Sequence, residues 1–181
     1  GLLEETPSSL EAGLGLAEVY QLTERTREAA ELLEGLEKLH PGDVRLLINL
    51  GAVHLRLAFG ADEVAGKHIA RARVLFQTAS SLEPRMARPR GGLAEVFSLL
   101  GEHERALTEI DRAIALEPTC TYQGWRGQIL WQLGQNKRAE TELSTALLEC
   151  PSHLPALVAL GAVLVDRGCY QQGREAWERA L

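Results

Sequence analysis

Histidines, cysteines and tryptophans are the residues of this chain best equipped for chemistry, and their spacing restricts what they can do. His40, His54, His68, His103 and His153 are scattered, mostly at turns or helix ends. None pairs with another at ligand spacing on one helix face, so no metal centre is expected. His54 stands three positions after Gly51 in an apolar run, which predicts a ring packed between helices. Cys120, Cys150 and Cys169 include no C-x-x-C pair. They read as buried or half-exposed thiols of a reducing compartment rather than as a disulfide or a zinc site. Gly91 and Gly92 open a helical stretch but lack the Lys-Ser/Thr that completes a phosphate loop. Carboxylates are plentiful, yet on amphipathic helices they form solvated faces. No catalytic constellation and no cofactor site emerges, and the expectation is a protein that is not an enzyme.

Composition narrows the partners. The 181 residues carry a formal charge of −6, which disfavours a phosphate-tracking surface and hence nucleic acid. No run of about 18 apolar residues occurs, so no direct membrane insertion is expected. The segment 1–9 is acidic and lacks the layout of a signal peptide. With no initiator methionine the chain reads as a fragment or processed form, which leaves room for a removed targeting segment. A cytoplasmic location is the expectation. Apolar residues make up 45% and aromatics only 5%, with Leu, Ala, Glu and Arg dominant, a balance that favours helix over sheet.

The elements that must position these side chains are set by two interlocked beats. Pro84, Pro118 and Pro151 are 34 and 33 residues apart, and Gly101, Gly134 and Gly168 are 33 and 34 apart. Such a period is the signature of a repeat array. In 87–119, Leu93, Val96, Phe97 and Leu100 form one helical face. Gly101 ends that helix, and Ala106, Leu107, Ile110, Ala113 and Ile114 repeat the pattern until Pro118 stops it. A turn this short forces the two helices to be antiparallel neighbours. Further copies are legible at 120–153 and 154–181, at 44–86, and more weakly at 10–43.

The small residues Gly51, Ala94, Gly127, Ala106 and Ala139, the bulky Phe76, Phe97, Ile110 and Trp177, and the closing prolines together resemble the tetratricopeptide repeat. The resemblance spans roughly 10–181 in five copies, the last incomplete. It implies an all-α fold, a right-handed superhelical solenoid of antiparallel helix hairpins, forming a single domain over 1–181. Two departures stand out. The interval from Gly51 to Ala72 is 21 residues where Gly127 to Ala139 is 12, so nine extra residues are expected between the two helices around 60–68, with Asp62 as the cap of a second helix lengthened by about two turns. At the other end, Leu181 breaks off inside a second helix, which predicts a continuation or another chain covering that face.

In proteins of this family the first helices line a concave groove that receives an extended peptide or a partner helix. The register places Glu18, Arg45, Asn49, Arg88, Glu95, Trp125, Gln128 and Trp131 toward it. Trp125 and Trp131 offer large apolar contact at low entropic cost, and packing between hairpins is the alternative for either. Arg45, Asn49 and Arg88 suit a carboxylate or phosphate. Asn49 and Arg88 fall at two of the five positions of the family's chaperone-tail clamp. Leu14, Glu18 and Gly92 at the other three cannot complete it, so that clamp is not expected. The resemblance therefore implies a non-catalytic scaffold or adaptor with a protein or peptide partner. The alternatives are self-association through the open C-terminal helix and a substrate-recruiting segment of a larger enzyme.

Overall fold

The computed structural model describes residues 9–59 and 64–181, and among these every regular element is a helix. In chain order they are α1 (Leu10–Leu22), α2 (Thr26–Leu39), α3 (Val44–Ala58), α4 (Ala65–Leu82), α5 (Ala87–Leu99), α6 (His103–Leu116), α7 (Cys120–Gln132), α8 (Asn136–Glu149), α9 (Leu154–Asp166) and α10 (Tyr170–Glu178). The chain divides into two compact units, Gly1–Val96 and Phe97–Leu181, with the division inside α5. In the first unit α1 packs on α2, α2 on α3, and α3 on α4. In the second unit the same succession links α6, α7, α8, α9 and α10, and α7 also touches α9 directly.

Turn chemistry sets these hairpins. Gly101, Gly134 and Gly168 have φ of 74°, 72° and 79°, the left-handed conformation that ends a helix cheaply when no Cβ is present. The next amide in each turn bonds back five residues: Glu102 to the Phe97 carbonyl (2.8 Å), Gln135 to Leu130 (2.9 Å) and Cys169 to Leu164 (2.8 Å). Glu24 takes the equivalent place in the first hairpin at φ 60°, with the Arg25 amide on the Tyr20 carbonyl at 2.8 Å. A side chain in that conformation costs about 1 kcal/mol relative to glycine. The second helices α2, α4, α6 and α8 end at Leu39, Leu82, Leu116 and Glu149, each two residues before a proline that cannot extend the ladder.

Close approach between helices depends on the missing side chains. A Cβ on Gly51 would stand 2.8 Å from the Phe76 ring, and one on Gly92 would stand 2.5 Å from it. Phe76 thus wedges between α3 of its own hairpin and the start of α5, and it is 3% exposed. In the second unit Leu143 fits against Gly127 in the same way, and the Trp177 indole lies over Gly161. Leu130, Ala139, Leu143, Ala146 and Val163 there are fully buried, close-packed between consecutive helices.

Two expectations are corrected. The nine extra residues of the second hairpin do not all sit between its helices. Two lengthen α3 to 15 residues, four lengthen α4 to 18, and three widen the connection, relative to the 13- and 14-residue helices of the α7–α8 hairpin. Asp62 lies outside the described residues, and the residue before α4 is Val64, which makes no side-chain cap. The reading of all three cysteines as thiols also fails. Cys120 and Cys150 form a disulfide, with Cα atoms 6.1 Å apart, and Cys169 is free. The antiparallel return of α8 brings the residue after it beside the first residue of α7. A pairing 30 residues apart leaves no local spacing signal.

Candidate interaction surfaces

In the first unit, α1, α3 and the beginning of α5 carry the polar candidates. Asp43 caps α3, its Oδ1 accepting from the Leu46 amide at 2.9 Å, and this fixes where the first turn begins. Arg45 follows on that turn and is exposed, but it is engaged. Its Nη2 lies 2.7 Å from Glu11 Oε1 on α1 and 3.8 Å from Asp43 Oδ2. The hydrogen bond to Glu11 holds the guanidinium more firmly charged than usual. Asn49, one turn later on the same face, is half-buried. Arg88 is exposed on the first turn of α5, and Glu95 is half-buried two turns further along. Burial raises the Glu95 carboxyl above the usual carboxylate range.

In the second unit, α7 supplies the aromatic candidates. Trp125, Gln128 and Gln132 recur at helical spacing on its outward side, while Gly124, Gly127, Ile129 and Leu130 are buried on the inward side. Trp125 is half-buried, with its ring edge-on to Tyr122 at 5.8 Å between centroids. Trp131 points elsewhere. Its ring packs on the apolar cluster of α8 and α9, and its Nε1 donates to Asp166 Oδ2 at 2.6 Å. The two tryptophans are therefore distinct: Trp131 ties α7 to the end of α9, whereas Trp125 and Gln128 leave area open to an incoming group. On α9, Val158 is exposed and Ala162 is half-buried.

One contact went unread in the sequence and recurs. Arg56 Nη1 donates to the Gln21 carbonyl (3.0 Å), Ser98 Oγ to Gln132 Oε1 (2.5 Å), and Trp131 Nε1 to Asp166 (2.6 Å), over separations of 35, 34 and 35 residues. Each joins the last turn of one first helix to the last turn of the next. The repeat period itself was the signal, because residues one period apart at equal register become neighbours. Arg126 also went unread, by a different contact that is not one period apart. Half-buried on α7, it bonds Glu142 of α8 (3.1 Å from Nε) and Asp111 of α6 (3.4 Å from Nη1).

The histidines also hold a pair that one-helix spacing could not show. His54 on α3 is 4% exposed, and its Nδ1 lies 3.0 Å from Nδ1 of His68 on α4, with the rings stacked at 5.2 Å. Only one of two facing nitrogens can carry the proton. Glu34 Oε1 on α2 stands 3.5 Å from His54 Nε2, which favours a proton there and so makes His68 the donor between the rings. Among the described residues no group of three histidine, cysteine or carboxylate side chains is arranged to hold a metal ion.

No protein-family model matches the chain. Over 112 residues it is 32% identical to a probable biofilm formation methyltransferase, WspC, of Pseudomonas aeruginosa, the match covering 58% of this chain and 26% of that protein. The chain thus spans about a quarter of the length of the curated relative it matches. Among solved structures, a thermophilic TPR protein of Thermus thermophilus superposes with a TM-score of 0.79 at 24% identity, over 90% of this chain and 85% of that one. The Cut9–Hcn1 hetero-tetramer of the APC/C gives a TM-score of 0.78 at 20% identity, over 96% of this chain and 32% of the other. Among the described residues no helix is long and apolar enough to cross a membrane. With glycine-turned, proline-ended hairpins packed in succession in each unit, the chain has the tetratricopeptide-repeat fold.

Proposed function

We propose that this chain is a non-catalytic interaction module that receives a segment of a partner protein on the outward side of its first helices. The observation that carries the proposal is the α7 face. Trp125 is only half-buried, and Gln128 and Gln132 continue its stripe in the open. An indole held edge-on by Tyr122, with polar groups on the next turns, is the composition of an interface anchor with a polar rim. Arg45, Asn49, Arg88 and Glu95 would supply polar reading in the first unit, although Arg45 must first be released from Glu11. Trp131 is a supporting residue in this reading, since its N–H is already engaged by Asp166. Solved proteins with this fold include one in a complex with a named partner, Cut9 with Hcn1, in accord with protein binding as the general role.

Affinity capture with wild type beside Trp125→Ala and Gln128→Ala tests the proposal. Partners retained by wild type are expected to be lost on Trp125→Ala, with binding weakened by about 2 kcal/mol and helical circular dichroism unchanged. Equal capture by the variants, or loss of helicity on Trp125→Ala, would remove Trp125 from the interface.

A second reading is a recruiting segment attached to an enzyme, and the likeness to part of a probable methyltransferase favours it. The reading frame of the full-length gene separates the two, because only the second requires a catalytic domain in the same polypeptide.

A further inference from the structure

The Cys120–Cys150 bridge differs from a purely structural staple in two respects. First, the hairpin it closes does not depend on it for a core. Leu130, Ala139, Leu143 and Ala146 are fully buried, and the apolar cluster formed around Leu130, Leu143 and Val163 has Cys169 packed against it but draws on neither bridged cysteine. With only three cysteines in the chain and Cys169 free, the other four hairpins are built with no crosslink. Second, the two sulfurs sit in opposite electrostatic surroundings. Cys120 is the first residue of α7, directly after the cap Thr119, whose side chain accepts from the Tyr122 amide at 3.3 Å. The amides of Cys120 and Thr121 have no acceptor within the helix and give that end partial positive charge. Cys150 closes α8 at its carbonyl end, with its own amide on the Ala146 carbonyl at 2.9 Å, where the partial charge is negative. A thiolate is stabilised at a helix N-terminus and disfavoured at a C-terminus. Both residues are half-buried, so a small reagent can reach the bond.

We propose that Cys120–Cys150 is a reversible thiol–disulfide site for small thiols of the glutathione class, with Cys150 as the attacked sulfur and Cys120 as the leaving thiolate. The attacking thiolate forms a bond to Cys150 Sγ as the Sγ–Sγ bond breaks, and the electron pair leaves on Cys120. A second small thiol then attacks the external sulfur of the mixed disulfide, releasing Cys150 as its thiolate. The net change converts the protein disulfide and two small thiols into two protein thiols and one small-molecule disulfide. Oxidation by that disulfide runs the same steps backward.

The oxidised chain carrying Cys169→Ser, so that only this pair can exchange, is treated with limiting glutathione, acid-quenched and mapped by mass spectrometry. The mixed disulfide is expected on Cys150 in about fivefold or greater excess over Cys120. After full reduction the helical circular dichroism persists, and iodoacetamide alkylates Cys120 about fivefold or more faster than Cys150 near neutral pH. In the Cys150→Ser variant, Cys120 keeps that fast rate. Oxidised glutathione then restores the crosslink in the reduced protein. A mixed disulfide mainly on Cys120, equal alkylation rates, loss of helicity on reduction, or failure to re-form the bond would each overturn the proposal.

Discussion

His54 makes the first unit sensitive to acid, by an amount that follows from its surroundings. It is buried between α3 and α4, with His68 and Arg71 facing it from α4 and Glu34 from α2. Burial above all, then the positive charge of His68 and Arg71, lowers its pKa from 6.5 to about 4. The unfolded chain therefore takes up a proton in a range where the folded chain refuses it. Stability is complete above the unfolded value and falls as pH drops through the window down to about 4. The whole gap is worth about 3 kcal/mol, of which about 2 kcal/mol is lost between about pH 7.5 and about pH 5. Urea unfolding of wild type and His54→Gln at those two pH values measures it. Other groups contribute to the wild-type loss, among them His153, which burial also lowers, so the informative quantity is the difference between the two proteins. Wild type should lose about 2 kcal/mol more than the variant. Equal losses would show that the His54 proton is not excluded by the fold, and the assignment of His68 as the donor would fall with it.

Other perturbations test the packing and the turns. Glu24→Gly relieves the one described non-glycine residue at positive φ and should stabilise the chain by about 1 kcal/mol in urea unfolding. Phe76→Ala empties the wedge between Gly51 and Gly92 and should cost about 3–5 kcal/mol, seen as an earlier thermal transition. Replacing Cys120 and Cys150 by serine opens a loop set by their separation of 30 residues. The chain-entropy relation puts the cost at about 3–4 kcal/mol, read as a lower urea midpoint under non-reducing conditions.

The fold was legible because its two commonest punctuators act locally. Gly101, Gly134 and Gly168 stand at the turns, and the prolines stand two residues past the helices, each for a reason confined to its own backbone. The small-to-large packing code was legible for another reason, its recurrence at the repeat period, Gly51 against Phe76 being the clearest case. Sequence reasoning lost resolution for partners on different helices that the repeat motif does not pair. The Cys120–Cys150 bond and the His54–His68 pair both cross a hairpin. In the second case the insertion shifts α4 against α3, so no simple offset announces the contact. The register named Trp125 and Trp131 together. Only the packing of α7 on α9 separates an indole whose N–H is consumed by Asp166 from one whose outer surface is open.

The bridge between the start of α7 and the end of α8 also bears on how this chain would respond to tension. A pull on the two ends of the second unit is carried across the sulfurs, so the segment between them, set by a sequence separation of 30, cannot be drawn out while the bond holds. At about 3.5 Å per extended residue, that is about 100 Å of hidden contour length, released only on reduction. The oxidation state of one cysteine pair thus sets how far this part of the polypeptide can stretch.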